Sequence, residues 1–285
     1  MPRTLHLGLP KGRMLDGVTR LLGDAGIAVR AGPRGYRPSV DLVDAETKLL
    51  KPQNVVEMLD AGTRDLGFAG ADWVAELDAD LVEVLDTGLD PVRVVVAGPA
   101  DLVKGGLPPR PVVIASEYER LTLDWVRRRG VEGRFVRSYG ATEVFPPEDA
   151  DLIVDNTATG ATLTANGLAI VDEVMRSSTR LYASRRAWAD PAVRGRIEDL
   201  ALVLQSVVEA RRRVMVEVNV GTDRLAEVVA ILPCLREPTI ARLHGGDALA
   251  VKAAVPRGEL SELIPRVKSA GGTDIVVTAI AQLVP

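Results

Sequence analysis

The sequence predicts an α/β protein whose main body has largely parallel sheets, followed by a smaller C-terminal module of different construction. Two observations carry this. As far as Arg213, short apolar runs alternate with segments of helical period, the pattern of strands joined by crossover helices. Beyond Arg211-Arg212-Arg213 the order becomes β-α-β-β-α-β, a ferredoxin-like module complete in about 70 residues.

The elements follow in order. Leu5–Leu9 reads as the first strand and Met14–Ala25 as the helix behind it. Val55–Ala61 reads as helical, and Asp65–Ala69 as a strand ending at Gly70. Val92–Ala97 is a β-branched strand, closed by Gly98-Pro99 in the manner of a domain crossing. Pro111–Ala115 is a strand, Leu121–Arg129 a helix, and Phe135-Val136-Arg137 extended. Asp151–Val154 is a strand, and Leu163–Val174 has helical character. Leu181-Tyr182-Ala183 returns the chain to the first domain, and Ile197–Arg212 is a long helix. In the module, Val214–Val220, Thr239–Leu243, Ala248–Val255 and Thr273–Ile280 are strands, with helices at Asp223–Leu232 and Arg257–Ala270. A tight turn is expected at His244-Gly245-Gly246-Asp247, and the basic triplet at Arg213 suits a helix C-terminus.

Composition narrows the function. At 285 residues and 47% hydrophobic, the chain can build two or three domains with substantial cores. Thirty-five Lys and Arg against 39 Asp and Glu leave a net charge of −4, which excludes the basic face that nucleic acid requires. Three Phe, four Tyr and three Trp argue against a stacking surface. An anionic ligand must therefore be held by a local site. A single cysteine, Cys234, rules out an internal disulfide and fits a reducing compartment. His6 and His244 are too far apart to read as zinc ligands, and so few His and Cys argue against a Ser-His or Cys-His nucleophile. Met1-Pro2-Arg3-Thr4 lacks a signal-peptide core, and no segment has the length of a membrane span. A soluble cytoplasmic protein, with no nucleic-acid or membrane partner, is expected.

The most informative stretch is Asp151–Leu163. Leu152-Ile153-Val154 ends at a carboxylate, Asp155, and opens into Asn156, Thr157, Ala158, Thr159, Gly160, Ala161 and Thr162. Small residues let a ligand approach the backbone, and Thr hydroxyls beside a helix start favour a phosphate. The strand-end carboxylate suits sugar hydroxyls or a magnesium ion. A capped strand-to-helix turn is the equal alternative on this segment alone. After the first strand, Lys11-Gly12-Arg13 offers a point charge and a bidentate fork for phosphate or pyrophosphate, or else two solvated loop cations. Asp72 reads as an N-cap and Glu143 as a helix-start residue, or as a contact to ribose or a metal-bound ligand. Neither a Walker A nor a Gly-x-Gly-x-x-Gly motif occurs.

Taken together, Leu7–Met14, Asp65–Asp72, Gly140-Ala141-Thr142-Glu143 and Ala150–Leu168 stand in the order seen in ATP phosphoribosyltransferases, which open histidine biosynthesis. The chain resembles that family over essentially its whole length. Pro233-Cys234-Leu235-Arg236-Glu237-Pro238-Thr239 resembles part of the regulatory domain of the long form. The resemblance implies a two-lobed catalytic body, like a periplasmic binding protein, with the active site in its cleft. It implies a first domain at residues 1–94 and 183–210, a second at 95–182, and a regulatory ferredoxin-like domain at 211–285.

By the same resemblance, Asp155 to Thr162 would hold phosphoribosyl pyrophosphate (PRPP), and Gly12, Arg13, Lys51 and Asp72 would line the ATP site. Lys11, Arg13, Glu143 and Asp155 would be catalytic. Asp155 and Glu143 would serve as ligands for Mg2+, while Asn219 and Thr239 would contact histidine as effector. A homo-oligomer, from dimer to hexamer, is implied. Adenine N1 of ATP would displace pyrophosphate from the anomeric carbon with inversion. An oxocarbenium-like transition state needs positioning and charge stabilisation rather than a covalent nucleophile. Several positions depart from the family pattern: Lys51-Pro52 for Arg-Pro, the Leu85–Arg93 segment, Ser116 for Thr, Asn219 for an acidic residue and Glu237 for a small polar one. An intracellular sensor of a phosphosugar or amino acid, or a transferase with another acceptor, are the competing readings.

Overall fold

The computed structural model describes residues 3–30, 35–244 and 246–284. Met1-Pro2 and Gly245 of the expected turn lie outside the described residues. The chain divides into two compact units, one comprising residues up to Arg20 with Ile27–Asp199, the other Leu21–Gly26 with the chain from Leu200.

The larger unit contains β1 (Leu5–Pro10), α1 (Arg13–Asp24, which runs on into the other unit), the short antiparallel pair β2 (Val29–Arg30) and β3 (Ser39–Val40), β4 (Ala45–Leu50), α2 (Pro52–Asp60), β5 (Leu66–Gly70) and α3 (Ala71–Glu76). Next come β6 (Leu81–Pro99), α4 (Ala100–Val103), β7 (Val112–Ser116), α5 (Glu119–Arg129) and β8 (Gly133–Arg137). A 3-10 turn at Thr142–Val144 leads to β9 (Leu152–Thr157), α6 (Ala161–Ala165), β10 (Leu168–Ser184), α7 (Arg185–Ala189) and the start of α8 (Pro191–Arg212).

One eight-stranded sheet organises the unit, in the order β4-β1-β5-β10-β6-β9-β7-β8. β4, β1 and β5 run parallel, as do β9, β7 and β8. Between these halves, β10 and β6 are antiparallel to each other and to their outer neighbours. The body is thus α/β and two-lobed, but its centre is antiparallel where parallel strands were expected. Val94, Val95, Val96 and Ala97 of β6 are fully buried, as a strand covered on both faces requires.

Two expectations change here. Leu163–Val174 is not one helix: α6 ends at Ala165, Gly167 turns the chain at φ +72°, and β10 starts at Leu168. The apolar spacing of that stretch imitates a helix, but β-branched Ile170 pairs with Ala97 of β6, and Val171 and Val174 lie in the same strand at its register shifts. Val92–Ala97 is only the end of a 19-residue strand. Asp86, Gly88, Asp90 and Pro91 look like turn residues, and register shifts between β6 and β10 absorb them. Leu181-Tyr182-Ala183 is the far end of β10 and does return to the first half-sheet, pairing with β5.

The smaller unit holds β11 (Arg213–Gly221), α9 (Leu225–Ile231), β12 (Thr239–Arg242), β13 (Ala248–Pro256), α10 (Leu260–Ser269) after a 3-10 turn at Arg257–Glu259, and β14 (Thr273–Ala279). The strand order is β12-β13-β11-β14 with every neighbouring pair antiparallel, the ferredoxin-like arrangement. Val214, Val216, Val218 and Val220 bury one face against Val228, Leu263 and Val267, while Met215, Glu217 and Asn219 alternate onto the other. No described helix is long and apolar enough to cross a membrane.

Candidate active site

The site is built at the C-terminal ends of β1, β4, β5, β7 and β9, where open α/β sheets place their ligand-binding loops. β9 carries Asp155, Asn156 and Thr157 to its end, held opposite Val95, Val94 and Arg93 of β6. The loop then closes on itself. The Gly160 N–H donates to Thr157 Oγ1 at 2.9 Å, and the Ala161 N–H to Thr159 Oγ1 at 3.3 Å. Gly160 takes φ +83°, a conformation a side chain would strain. Among the described residues, the backbone N–H groups of Ala158 and Thr159 have no acceptor. Ala158, Thr159, Ala161 and Thr162 are exposed, whereas Thr157 and Gly160 are buried. The loop is therefore pre-shaped by its own hydroxyls and presents small groups and amides outward.

Asp155 is half-buried, and its Oδ1 accepts the Asn156 N–H at 2.7 Å. Burial pushes its pKa up to about 6, helped by the negative charges of Glu143 and Glu117, while the Asn156 amide pulls the other way. The structure thus brings Asp155 and Glu143 together. Glu143 sits in the 3-10 turn Thr142–Val144, which is pinned by the 2.7 Å Ser138 Oγ–Thr142 Oγ1 hydrogen bond. Glu117, just past β7, was not anticipated; an acidic residue at the end of a parallel strand was the signal. None of these three carboxylates forms an ion pair among the described residues, and no three His, Cys, Asp or Glu groups there make a metal cage.

Asp72 departs from its expected role as N-cap. Gly70 is the N-cap of α3, and Asp72, in the first turn and only 5% exposed, turns inward. A Cβ at Gly70 would collide with that carboxylate, so the glycine leaves it room. Asp72 Oδ1 accepts from Ser177 Oγ and Oδ2 from Tyr118 OH, both at 2.6 Å. Burial and the Asp72 charge push the Tyr118 hydroxyl far above the ordinary tyrosine range. Arg13, Asp72, Asp90, Asn156, Ser177 and Thr179 line one cavity of about 90 Å³. Arg13, at the start of α1, and Asn156, near the end of β9, therefore meet there.

Lys11 and Lys51 end adjacent strands, since Pro10 of β1 pairs with Leu50 of β4. Neither lines that cavity. Lys11 places Nζ 3.9 Å from the centroid of the Tyr36 ring, a cation–π contact. Its N–H donates to the Leu50 carbonyl at 2.7 Å. Gly12 follows it, and the exposed Arg13 opens α1. Lys51 is exposed at the start of α2, with Pro52 at the first helical position.

In the smaller unit, Asn219 and Thr239 share the sheet face opposite the helices, but two register rows apart: Asn219 lies in line with Ala250 and Ala241, Thr239 with Lys252 and Glu217. Asn219 Nδ2 donates to Asp274 Oδ2 at 3.0 Å. Thr239, Glu237 and Cys234 line a separate cavity of about 270 Å³, to which Asn219 does not contribute.

Comparison with known proteins identifies the family. The family model for HisG, ATP phosphoribosyltransferase, matches residues 51–206, and that for the HisG C-terminal domain matches 210–282. The ATP phosphoribosyltransferase of Pelotomaculum thermopropionicum is 36% identical over 287 residues, covering 99% of both chains. That of Chlorobium phaeovibrioides is 36% identical, covering 99% of this chain and 98% of its own. Among solved structures, the ATP phosphoribosyl transferase (HisG:HisZ) complex from Thermotoga maritima superposes with a TM-score of 0.64 at 28% identity, covering 72% of this chain and 99% of that one. The chain belongs to the ATP phosphoribosyltransferase family, in the long form that carries the C-terminal domain.

Proposed function

We propose that this protein transfers the phosphoribosyl group of PRPP to N1 of the adenine of ATP and releases pyrophosphate, the first step of histidine biosynthesis. Beside family membership, the supporting observation is the self-braced Asp155–Thr162 loop, whose Asn156 lines one cavity with Arg13 and Asp72.

In this reading the amides of Ala158 and Thr159 and the hydroxyls of Thr159 and Thr162 hold the 5-phosphate. Asp155 faces the ribose, where its ionised form would stabilise positive charge developing at the anomeric carbon. Arg13 takes pyrophosphate or the ATP triphosphate through its planar fork, with Lys11, Gly12 and Lys51 along the same edge. Lys51 supplies a point charge where a guanidinium would grip in two places. Asp72 braces the cavity wall, its two oxygens accepting hydrogen bonds from Tyr118 and Ser177. Adenine N1 must approach opposite the departing pyrophosphate, so holding both substrates in line supplies much of the rate.

The unpaired carboxylates of Asp155 and Glu143, with Glu117 near Asp155, fit a magnesium ion that keeps most of its ligands from water and substrate phosphate. When bound, it would neutralise charge on the pyrophosphate leaving group. We take residues 1–94 with 183–210 and residues 95–182 as the two lobes, and 211–285 as a module that binds histidine through Asn219 and Thr239. Assembly of dimers into a hexamer, in the cytoplasm, completes the proposal.

Purified protein supplied with ATP, PRPP and magnesium should form phosphoribosyl-ATP. Failure to form it, with substrates still bound, would favour a sensor. Product from another purine but not from ATP would move the acceptor.

A further inference from the structure

Tyr118 is fully buried in the turn between β7 and α5, its ring against Trp73 with centroids 4.8 Å apart and its N–H donating to Ser116 Oγ at 2.9 Å. Its hydroxyl has two partners from two other elements. It donates to Asp72 Oδ2 on α3 at 2.6 Å and accepts from Asn156 Nδ2 on β9 at 2.9 Å. The directions follow from chemistry. A carboxylate accepts only, so the single hydroxyl proton goes to Asp72, and the oxygen's lone pairs can only accept. The Asn156 amino group must therefore face Tyr118, leaving its Oδ1 as the end available elsewhere. The same Asn156 donates its backbone N–H to Asp155 Oδ1 at 2.7 Å. On the far side, Ser177 Oγ donates to Asp72 Oδ1 and accepts the Asp72 N–H at 3.0 Å, so the carboxylate cannot swing away.

We infer that Tyr118 is a positioning residue whose hydroxyl clasps Asn156 to Asp72 and so fixes the amide orientation at the mouth of the Asp155–Thr162 loop. The inference deepens the proposed function and rests on that loop being the PRPP site. A filling role for the ring alone would leave the hydroxyl dispensable, and the two readings separate there.

Tyr118→Phe keeps the ring and its contact with Trp73 and removes only the hydroxyl. Calorimetric PRPP titrations on wild type, Y118F, N156A and the double variant, with ATP KM, kcat and Tm alongside, test the clasp. Y118F should bind PRPP about tenfold more weakly, the scale of one buried hydrogen bond. Its kcat at saturating PRPP should stay near wild type and its ATP KM within about twofold. The double variant should bind no more weakly than the weaker single variant, because both substitutions break one unit. If wild type binds PRPP and Y118F binds it equally well, the clasp is overturned alone. It is also overturned if the two effects multiply, or if PRPP and ATP binding fall together with Tm. Wild type that binds no PRPP overturns the loop assignment itself, and the clasp with it.

Discussion

The negative charge of Glu143 adds to burial in holding a proton on Asp155 up to about pH 6. In the proposed role, where Asp155 is ionised to face a developing cation, this environment has a measurable cost.

PRPP binding and turnover should fall as pH drops through about 6, where Asp155 takes up its proton. Magnesium should move that midpoint lower, because a cation favours the ionised form. Asp155→Asn should lose the limb along with most activity; a pH profile that keeps the limb in the variant assigns it to another group.

The same shift gives a stability prediction. Raised in the folded state, Asp155 favours folding when protonated, and that advantage is lost as pH rises through about 6. Asp155→Asn should therefore stabilise the ligand-free protein at pH 8 by on the order of 2 kcal/mol, and by much less at pH 4. Denaturant titrations at the two pH values check the sign. Equal changes at both would show that ionisation is not the source.

Gly160→Ala forces a side chain into the left-handed region at φ +83°. It should destabilise by about 1 kcal/mol and raise the PRPP KM more than the ATP KM. Equal changes in both KM values would detach the loop from phosphoribosyl binding.

Arg13→Lys should weaken ATP or pyrophosphate binding several-fold, and Arg13→Ala further, because bidentate geometry is lost before charge. Product inhibition by pyrophosphate reads this directly. Equal loss in both variants would point to a role in packing.

Asn219→Asp places a carboxylate beside Asp274, whose Oδ2 now accepts from the Asn219 amide. Two acids there would favour a ligand ammonium, so on the proposed histidine site the variant should bind histidine more tightly than wild type. An unchanged histidine response would remove Asn219 from the effector site.

The sequence made the phosphate-type loop legible because its small residues, hydroxyls and strand-end carboxylate are local features. The ferredoxin-like module was legible through strict alternation, as in Val214 to Val220. The central strands were not: β6 runs through Asp86, Gly88, Asp90 and Pro91, which read locally as a turn and are tolerated only through irregular pairing with β10. Asp72 looked like a cap because its inward partners, Tyr118 and Ser177, lie 46 and 105 residues away. Glu117 escaped notice for the same reason, since its effect on Asp155 depends on β7 and β9 lying side by side.

The most direct test is the release of pyrophosphate by the purified protein in the presence of magnesium, measured with ATP alone, PRPP alone and both together. Release only with both substrates, matched one to one by N1-phosphoribosyl-ATP, is the predicted result. Pyrophosphate released from PRPP without ATP, or none with both, would contradict phosphoribosyl transfer to ATP.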